Sequence, residues 1–143
     1  MRIGKSAKTI FELQAPATLN QAAPVQNTWY NILTATGNVR VYQVAVNVED
    51  TDETLECQFI VDGQTLPATA LPATHSTVYY VTIALNAINR LVAVVIVDTT
   101  NFAKFHRAYE IEGKSVQIQV RKTTATGAGN LTGVALYGVA KRA

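Results

Sequence analysis

The sequence has few charged residues, one cysteine and two histidines, and each of these shortages argues against a class of function. Lys, Arg, Asp and Glu make 15% of the 143 residues, and the net charge is +2, whereas about a quarter of the residues are charged in an ordinary soluble domain. The basic residues are scattered along the chain rather than gathered in one stretch, which argues against specific or bulk binding to nucleic acid. We therefore expect a neutral surface that suits burial against neighbouring subunits.

The scarcity of cysteine and histidine limits the chemistry that the chain can carry. Cys57 has no second cysteine to pair with, and its alternation with Leu55 and Phe59 predicts a small buried residue rather than a nucleophile. His75 and His106 have no partner at a metal-ligand spacing, and no serine lies in a nucleophile motif. We therefore predict no catalytic residues, no metal and no cofactor, and we expect that the protein is not an enzyme.

Two groups of carboxylates are the candidates for a metal site or for acid–base chemistry. Residues 49–53 are densely acidic, but their spacing matches no calcium loop and includes no glycine, so a solvated hairpin tip is the preferred interpretation. Glu110 and Glu112 lie two positions apart on one predicted strand. Such a pair does not flank a sugar from opposite sides, so it does not indicate a glycosidase.

Long apolar segments are also missing. The longest run, residues 91–97, is too short to cross a bilayer as a helix. The basic residues near residue 1 are followed by no apolar stretch of the kind found in signal peptides. We therefore expect synthesis in the cytoplasm and no membrane partner.

Residues that favour strands are abundant instead. Val, Ile and Thr make 44 of the 143 residues, and their branched side chains fit a half-buried pleated surface. From residue 28 onward, alternating apolar and polar positions are broken by turn signals at intervals of roughly twelve residues. This rhythm predicts eight or nine strands, at residues 28–36, 39–49, 54–61, 64–66, 77–85, 91–97, 102–112, 115–122 and 131–140.

Strands of this number, joined by short turns, predict an all-β fold: an antiparallel two-sheet sandwich of jelly-roll type. An immunoglobulin-like sandwich is the main alternative, but its Cys…Trp…Cys pattern is absent. Three tight hairpin turns are predicted, at Gly37-Asn38, at Asp62-Gly63 and at residues 112–114. Tyr42, Val44, Val46 and Val48 are predicted to share one face of their strand, as are Leu55, Cys57, Phe59 and Val61 on the next strand, and Val116, Ile118 and Val120 are predicted to point inward.

The first 27 residues differ in composition from the remainder. They contain Pro16, Pro24 and many small or polar residues, and they offer little to bury. We predict that residues 1–27 form an extended N-terminal arm with one strand near residues 9–13, and that residues 28–143 form the β-sandwich domain. The arm is interpreted either as a frayed terminus or as a segment that reaches a neighbouring subunit.

Two pairs of adjacent aromatic residues are the candidate site residues. Trp29 and Tyr30 are neighbours, as are Tyr79 and Tyr80, and successive strand residues point to opposite faces, so one ring of each pair is expected outside the core. Exposed rings of this kind serve either a subunit interface or the stacking of a sugar.

Residues 27–66 (NTWYNILTATGNVRVYQVAVNVEDTDETLECQFIVDGQTL) and residues 114–143 resemble segments of small β-sandwich structural proteins of bacteriophages and related prokaryotic viruses. The resemblance implies a virion component, such as a capsid protein, a capsid-decoration protein or a tail-associated protein. Such proteins work as trimers or higher homo-oligomers together with other virion proteins, after synthesis in the host cytoplasm. The alternative hypothesis is a carbohydrate- or receptor-binding module of the same architecture.

Overall fold

The computed structural model describes residues 10–48, 54–67, 69–71, 79–85, 91–96, 111–124 and 129–141. Every regular element in these ranges is a strand, which confirms the all-β class, and ten strands are present where eight or nine were predicted. They are β1 (Ile10–Leu13), β2 (Ala17–Gln21), β3 (Tyr30–Val48), β4 (Leu55–Val61), β5 (Gln64–Thr65), β6 (Thr69–Leu71), β7 (Tyr79–Leu85), β8 (Leu91–Ile96), β9 (Ile111–Lys122) and β10 (Leu131–Lys141).

All the strand pairs in the described residues are antiparallel. The hydrogen-bonded order is β1-β10-β3-β9-β4-β5, with β6 also on β4. Two further strands extend from β3, because β7 pairs with it at residues 45–46 and β8 pairs with β7. β1 and β2 lie one after the other along β10. In the described sheet, β3 is therefore the central strand, since it pairs with β10, β9 and β7.

The hairpin predicted at Gly37-Asn38 is wrong, because β3 runs through these residues as one bent strand. Gly37 and Asn38 have φ values of 96° and 62°, and they lie at a register shift between β3 and β9. A turn needs positive φ at its central residues, but so does a β-bulge. The same local signal here bends a strand that pairs with β9 before the bulge and as far as Val41 after it, while β10 pairs with this strand from Val39 onward.

The turn predicted at residues 112–114 is also absent, since β9 continues through them. A β-carbon on Gly113 would lie 2.7 Å from Cγ1 of Val61 and 3.0 Å from Oδ1 of Asp62, so glycine stands here because the tip of the β4–β5 hairpin approaches the backbone. The turn at Asp62-Gly63 is confirmed, with φ values of 52° and 80°. It directly joins the paired residues Val61 and Gln64 in the manner of a type I′ hairpin.

One apolar cluster contains the buried hydrophobic residues of β3, β4, β9 and β10. The predicted inward residues of β4 and β9 are confirmed, with Leu55, Cys57, Phe59, Val116, Ile118 and Val120 each at most 1% exposed. Val61 is half-buried and packs against this cluster.

The prediction for β3 is confirmed at Val44, Val46 and Val48 and wrong at Tyr42, which is 45% exposed. Tyr42 is the extra residue where the register of β3 and β10 shifts, and a bulge reverses which side chains face inward.

Contacts between distant parts of the strand order show that the sheet is strongly curved. A β-carbon on Gly133 of β10 would lie 2.7 Å from Cδ1 and Cγ1 of Ile32, which belongs to the first half of β3. β8 lies beside β6 and β4 although it hydrogen-bonds to β7. Residues predicted as loop form β6, and most of the strand predicted at 102–112 lies outside the described residues.

Candidate interaction surface

The predicted aromatic pair Trp29 and Tyr30 does divide between the two sides of the sheet. Tyr30 packs against the apolar core, and its hydroxyl accepts a hydrogen bond of 2.9 Å from the backbone N–H of Val25. The guanidinium carbon of Arg121 lies 4.4 Å from the centre of a Trp29 ring. Arg121 belongs to the polar face of β9, so Trp29 lies on the outer face of the sheet.

Arg121 is held by two partners at this edge of the outer face. Its Nη2 donates to Oε1 of Glu56 at 3.2 Å, and the two side chains are 28% and 25% exposed. A cation above an aromatic ring is attracted to the negative face of that ring. One face of Trp29 is thus occupied within the chain, while the half-buried ring retains an accessible part.

A row of amide side chains continues from this ion pair across three strands. Nε2 of Gln58 donates to Oε1 of Gln119 at 2.6 Å, and Nε2 of Gln119 donates to Oδ1 of Asn31 at 2.9 Å. Gln117 donates to the same Asn31 oxygen at 2.8 Å. The register places Gln58, Gln119 and Asn31 side by side, so the outer face of β4, β9 and β3 is polar and internally hydrogen-bonded here.

The second predicted pair, Tyr79 and Tyr80, lies at the start of β7. Tyr79 is the backbone partner of Val46, and Tyr80 is the partner of Ala45. The structure thus brings this pair to the half of β3 that lies beyond its bend and away from Trp29. The structure describes the backbone of these two residues, and the role assigned to their rings stays a prediction.

An open cleft of about 440 Å³ lies where the bend of β3 meets the β4–β5 turn. Both of its carboxylates have partners: Glu112 accepts hydrogen bonds from Arg40 at 3.0 and 3.1 Å, and Asp62 accepts one from the backbone of Ser115 at 3.0 Å. Arg40 also lies 4.2 Å from the centre of the Phe11 ring. The polar side chains at this cleft therefore connect β9 to β3 and to the β4–β5 turn.

In the part of the chain whose burial is described, large exposed apolar side chains are concentrated in the N-terminal segment. Ile10 and Leu13 of β1 are 56% and 68% exposed. β1 pairs with β10 along one edge, and in the part of the chain that the structure describes its other edge has no strand beside it. Neither β1 nor β2 contains a fully buried residue; Ala17 and Leu19 are half-buried against the core. A strand with an open edge and exposed apolar side chains is a ready surface for association.

Residues 22–29 connect this segment to β3 and are fastened to the end of β9. The N–H of Asn27 donates to the carbonyl of Lys122 at 2.7 Å, and Nε2 of Gln26 donates to the carbonyl of Thr123 at 2.9 Å. Pro24 is buried. Ala23 and Asn27 adopt positive φ values of 45° and 59°, which are unusual for residues other than glycine.

The described residues hold no group of three or more His, Cys, Asp or Glu side chains placed to bind a metal ion. His75, His106, the acidic residues 49–53 and Glu110 lie outside the described residues. Cys57 is described, and burial raises the pKa of its thiol from the ordinary 9.0 to about 12. Such a thiol stays protonated and unreactive near neutral pH. Among the residues that the structure describes, there is no helix long and apolar enough to cross a membrane.

Sequence reasoning named Trp29 but missed the side chains around it. The signal was present, because Gln117, Gln119 and Arg121 alternate with the three inward residues of β9. Alternation shows that these residues lie on the outer face. The partners Asn31, Gln58 and Glu56 follow from the register, which the sequence alone does not define.

Comparison with protein-family models gives no match, and neither does comparison with curated proteins. Solved structures with some likeness include one of the Gx strain of infectious bursal disease virus, with a TM-score of 0.35 and 12% sequence identity over 97% of this chain. Another is the VP2 subviral particle of the same virus, with a TM-score of 0.36 and 11% identity over 94% of this chain. This chain spans 37% and 34% of the length of those two chains.

Proposed function

We propose that this protein is a structural component of a virion, that it works by assembling with copies of itself and with other virion proteins, and that it catalyses no reaction. Its role would be that of a capsid, capsid-decoration or tail-associated protein, present as a trimer or higher homo-oligomer. The virion location is supported by the resemblance of residues 27–66 and 114–143 to β-sandwich structural proteins of prokaryotic viruses.

The observation that carries the assembly proposal is the exposed edge of the N-terminal segment. Ile10 and Leu13 leave more than half of their surface in water, and each apolar Å² that is removed from water stabilises a complex by about 25 cal/mol before the costs of association. The low charged fraction of 15% acts in the same direction, because charges are costly to desolvate at the centre of an interface.

Assembly also needs a rigid unit, and we propose that the curved sheet forms one as a two-layer jelly-roll sandwich. Three observations support two layers: β3 pairs with β9 as far as Val41 and then with β7 at residues 45–46, Gly133 lies close to Ile32, and β8 lies beside β4 and β6. Two facing layers would enclose the apolar core between their inner faces. The amide row and the open edge of β1 would then lie on the outside.

Light scattering coupled to size-exclusion chromatography tests the assembly proposal. The full chain is expected to show a mass that rises with concentration to at least three chains. The double variant Ile10→Ser/Leu13→Ser is expected to lower the mass at equal concentration, since it removes apolar surface from β1. Thr36→Ala, an exposed change on β3, is the matched control and should keep the wild-type mass.

A chain that stays monomeric at every concentration would overturn the proposal. An oligomer that the double variant leaves unchanged would overturn the role of the β1 edge.

The alternative function, a carbohydrate- or receptor-binding module, is favoured by the amide row beside Trp29. Amide groups both donate and accept hydrogen bonds, as sugar hydroxyls require, and an aromatic ring offers an apolar face to a sugar ring. A glycan array with the wild type and with Trp29→Ala separates the alternatives. Saturable binding that the substitution abolishes would favour the module, and the absence of binding would favour the assembly role.

A further inference from the structure

We infer that residues 10–21 exchange between copies of this protein, so that β1 and β2 of one chain pair with β10 of another in the register seen within the single chain. The inference rests on the proposed assembly function and names its mechanism. It starts from the position of these two short strands, which together cover one edge of β10.

Few side chains of this segment pack against the chain, and in β1 the main one is the half-buried Phe11, whose ring centre lies 4.2 Å from the guanidinium carbon of Arg40. Ile10 and Leu13 are mostly exposed, and the half-buried Leu19 is the largest apolar residue that β2 packs against the core. The segment is therefore held mainly by backbone hydrogen bonds to β10. A second copy offers the same β10 edge, so exchange replaces each of these bonds with an identical one.

Polar contacts along the pairing specify the register without holding the segment tightly. Nδ2 of Asn130 donates to Oδ1 of Asn20 at 3.0 Å, and Nζ of Lys141 lies 3.9 Å from Oε2 of Glu12, with both side chains about two-thirds exposed. An exposed ion pair contributes little to stability. The pair still favours one register, because a shift of β1 along β10 in either direction would separate the two charges.

For residues 10–21 to reach another copy, the chain must change direction between β2 and β3, and the connection indicates that it does so at Ala22 and Ala23. Immediately after them, Pro24 is buried and Gln26 and Asn27 bond to the end of β9. Ala23 has a φ of 45°, in the left-handed region that is unfavourable for residues other than glycine. An extended Ala23 relieves that strain and directs the segment away from its own β10. Exchange thus keeps the pairing and removes a local cost.

Disulfide trapping between two different chains tests the inference. Thr18 and Val134 are directly opposed in the pairing of β2 with β10, and both are exposed. Opposed residues of antiparallel strands lie within the Cα separation that a disulfide spans. One chain carries Thr18→Cys, the other carries Val134→Cys with a tag of different mass, and both keep the buried Cys57. The chains are mixed at high concentration, oxidised and run on a non-reducing gel.

The expected result is a disulfide-linked heterodimer, at least tenfold more abundant than with Thr36→Cys in place of Thr18→Cys. Thr36 is exposed but pairs with Ser115 on β9, so it reports accidental collision. The double variant Thr18→Cys/Val134→Cys, oxidised when dilute, should close a disulfide within one chain. Failure of that closure would overturn the register that the inference uses.

Light scattering on the same mixture distinguishes the two proposals. Oligomers whose heterodimer yield equals that of the control would overturn exchange and leave the assembly function standing. A mixture that contains no oligomers would overturn both proposals.

Discussion

The pairing of β4 with β9 and the pairing of β1 and β2 with β10 are both antiparallel, yet the two regions differ sharply in what they bury. Every inward residue of the first region that lies between Leu55 and Phe59 or between Val116 and Val120 is at most 1% exposed. The second region contributes no fully buried side chain from β1 or β2. Backbone hydrogen bonds alone contribute modestly to stability, so burial holds the first region in place, whereas the second region depends on weaker interactions.

Truncating the core of the first region is expected to have the largest effect. Phe59→Ala should lower the free energy of unfolding by about 3–5 kcal/mol, because Phe59 is 0% exposed and its removal leaves a cavity. Leu19→Ala in β2 is the matched change and should cost about 1 kcal/mol or less, since Leu19 is half-buried. Equilibrium unfolding in urea measures both values. Equal losses would abolish the contrast between the regions.

Adding a single carbon at Gly133 is expected to have the next largest effect. Gly133→Ala should cost about 1–3 kcal/mol, because the new β-carbon would lie 2.7 Å from two carbons of Ile32. Ile32→Val removes Cδ1, one of those two carbons, so the double variant should lose less than the sum of the single changes. Strict additivity in the same urea experiment would show that β10 and the first half of β3 are not packed together.

Alkaline pH tests the burial of Cys57. Its pKa is raised from 9.0 to about 12 in the folded chain, so between these values the unfolded chain releases the proton first and the folded state loses stability as pH rises. The loss is about 1.4 kcal/mol for each pH unit above 9, and below pH 9 this thiol adds no pH dependence. Urea unfolding at pH 8 and pH 10 should show this extra loss in the wild type and not in Cys57→Ala. Identical pH dependence in the two proteins would contradict the burial.

The smallest effect on stability is expected at the exposed edge. Leu13→Ser should change the free energy of unfolding by about 0.5 kcal/mol or less, because Leu13 is 68% exposed. The same change should weaken association, which light scattering across a concentration series detects. A large loss of stability with unchanged association would reverse the roles that the two regions have here.

Three glycine signals show how far the sequence predicts this fold. Asp62-Gly63 is a hairpin turn, Gly37-Asn38 is a bulge within β3, and Gly113 lies inside β9. The first follows from local chemistry, since two positive φ values between alternating strands define a tight turn. The other two depend on which strands approach from elsewhere, as the contact of Gly113 with the β4–β5 turn shows. A single sequence carries no direct record of such contacts.

For the candidate surfaces too, the sequence predicted some features and not others. Period-two alternation identified the buried faces of β4 and β9, and it placed one ring of the Trp29-Tyr30 pair outside the core. It misplaced Tyr42, because a bulge in β3 reverses the alternation there. β2 was not predicted, since ATLNQ offers little to bury; its pairing with β10 supplies the missing stabilisation. The division of the chain at residue 27 stays a prediction.

Amide hydrogen exchange at two protein concentrations tests most directly the claim that the N-terminal segment is loosely held and takes part in assembly. In dilute protein, the amides of β1 and β2 should exchange much faster than those of β9, and at concentrations where the chain associates they should gain protection while β9 stays unchanged. Protection of β1 and β2 equal to that of β9 in the dilute protein, with no change on concentration, would contradict the account.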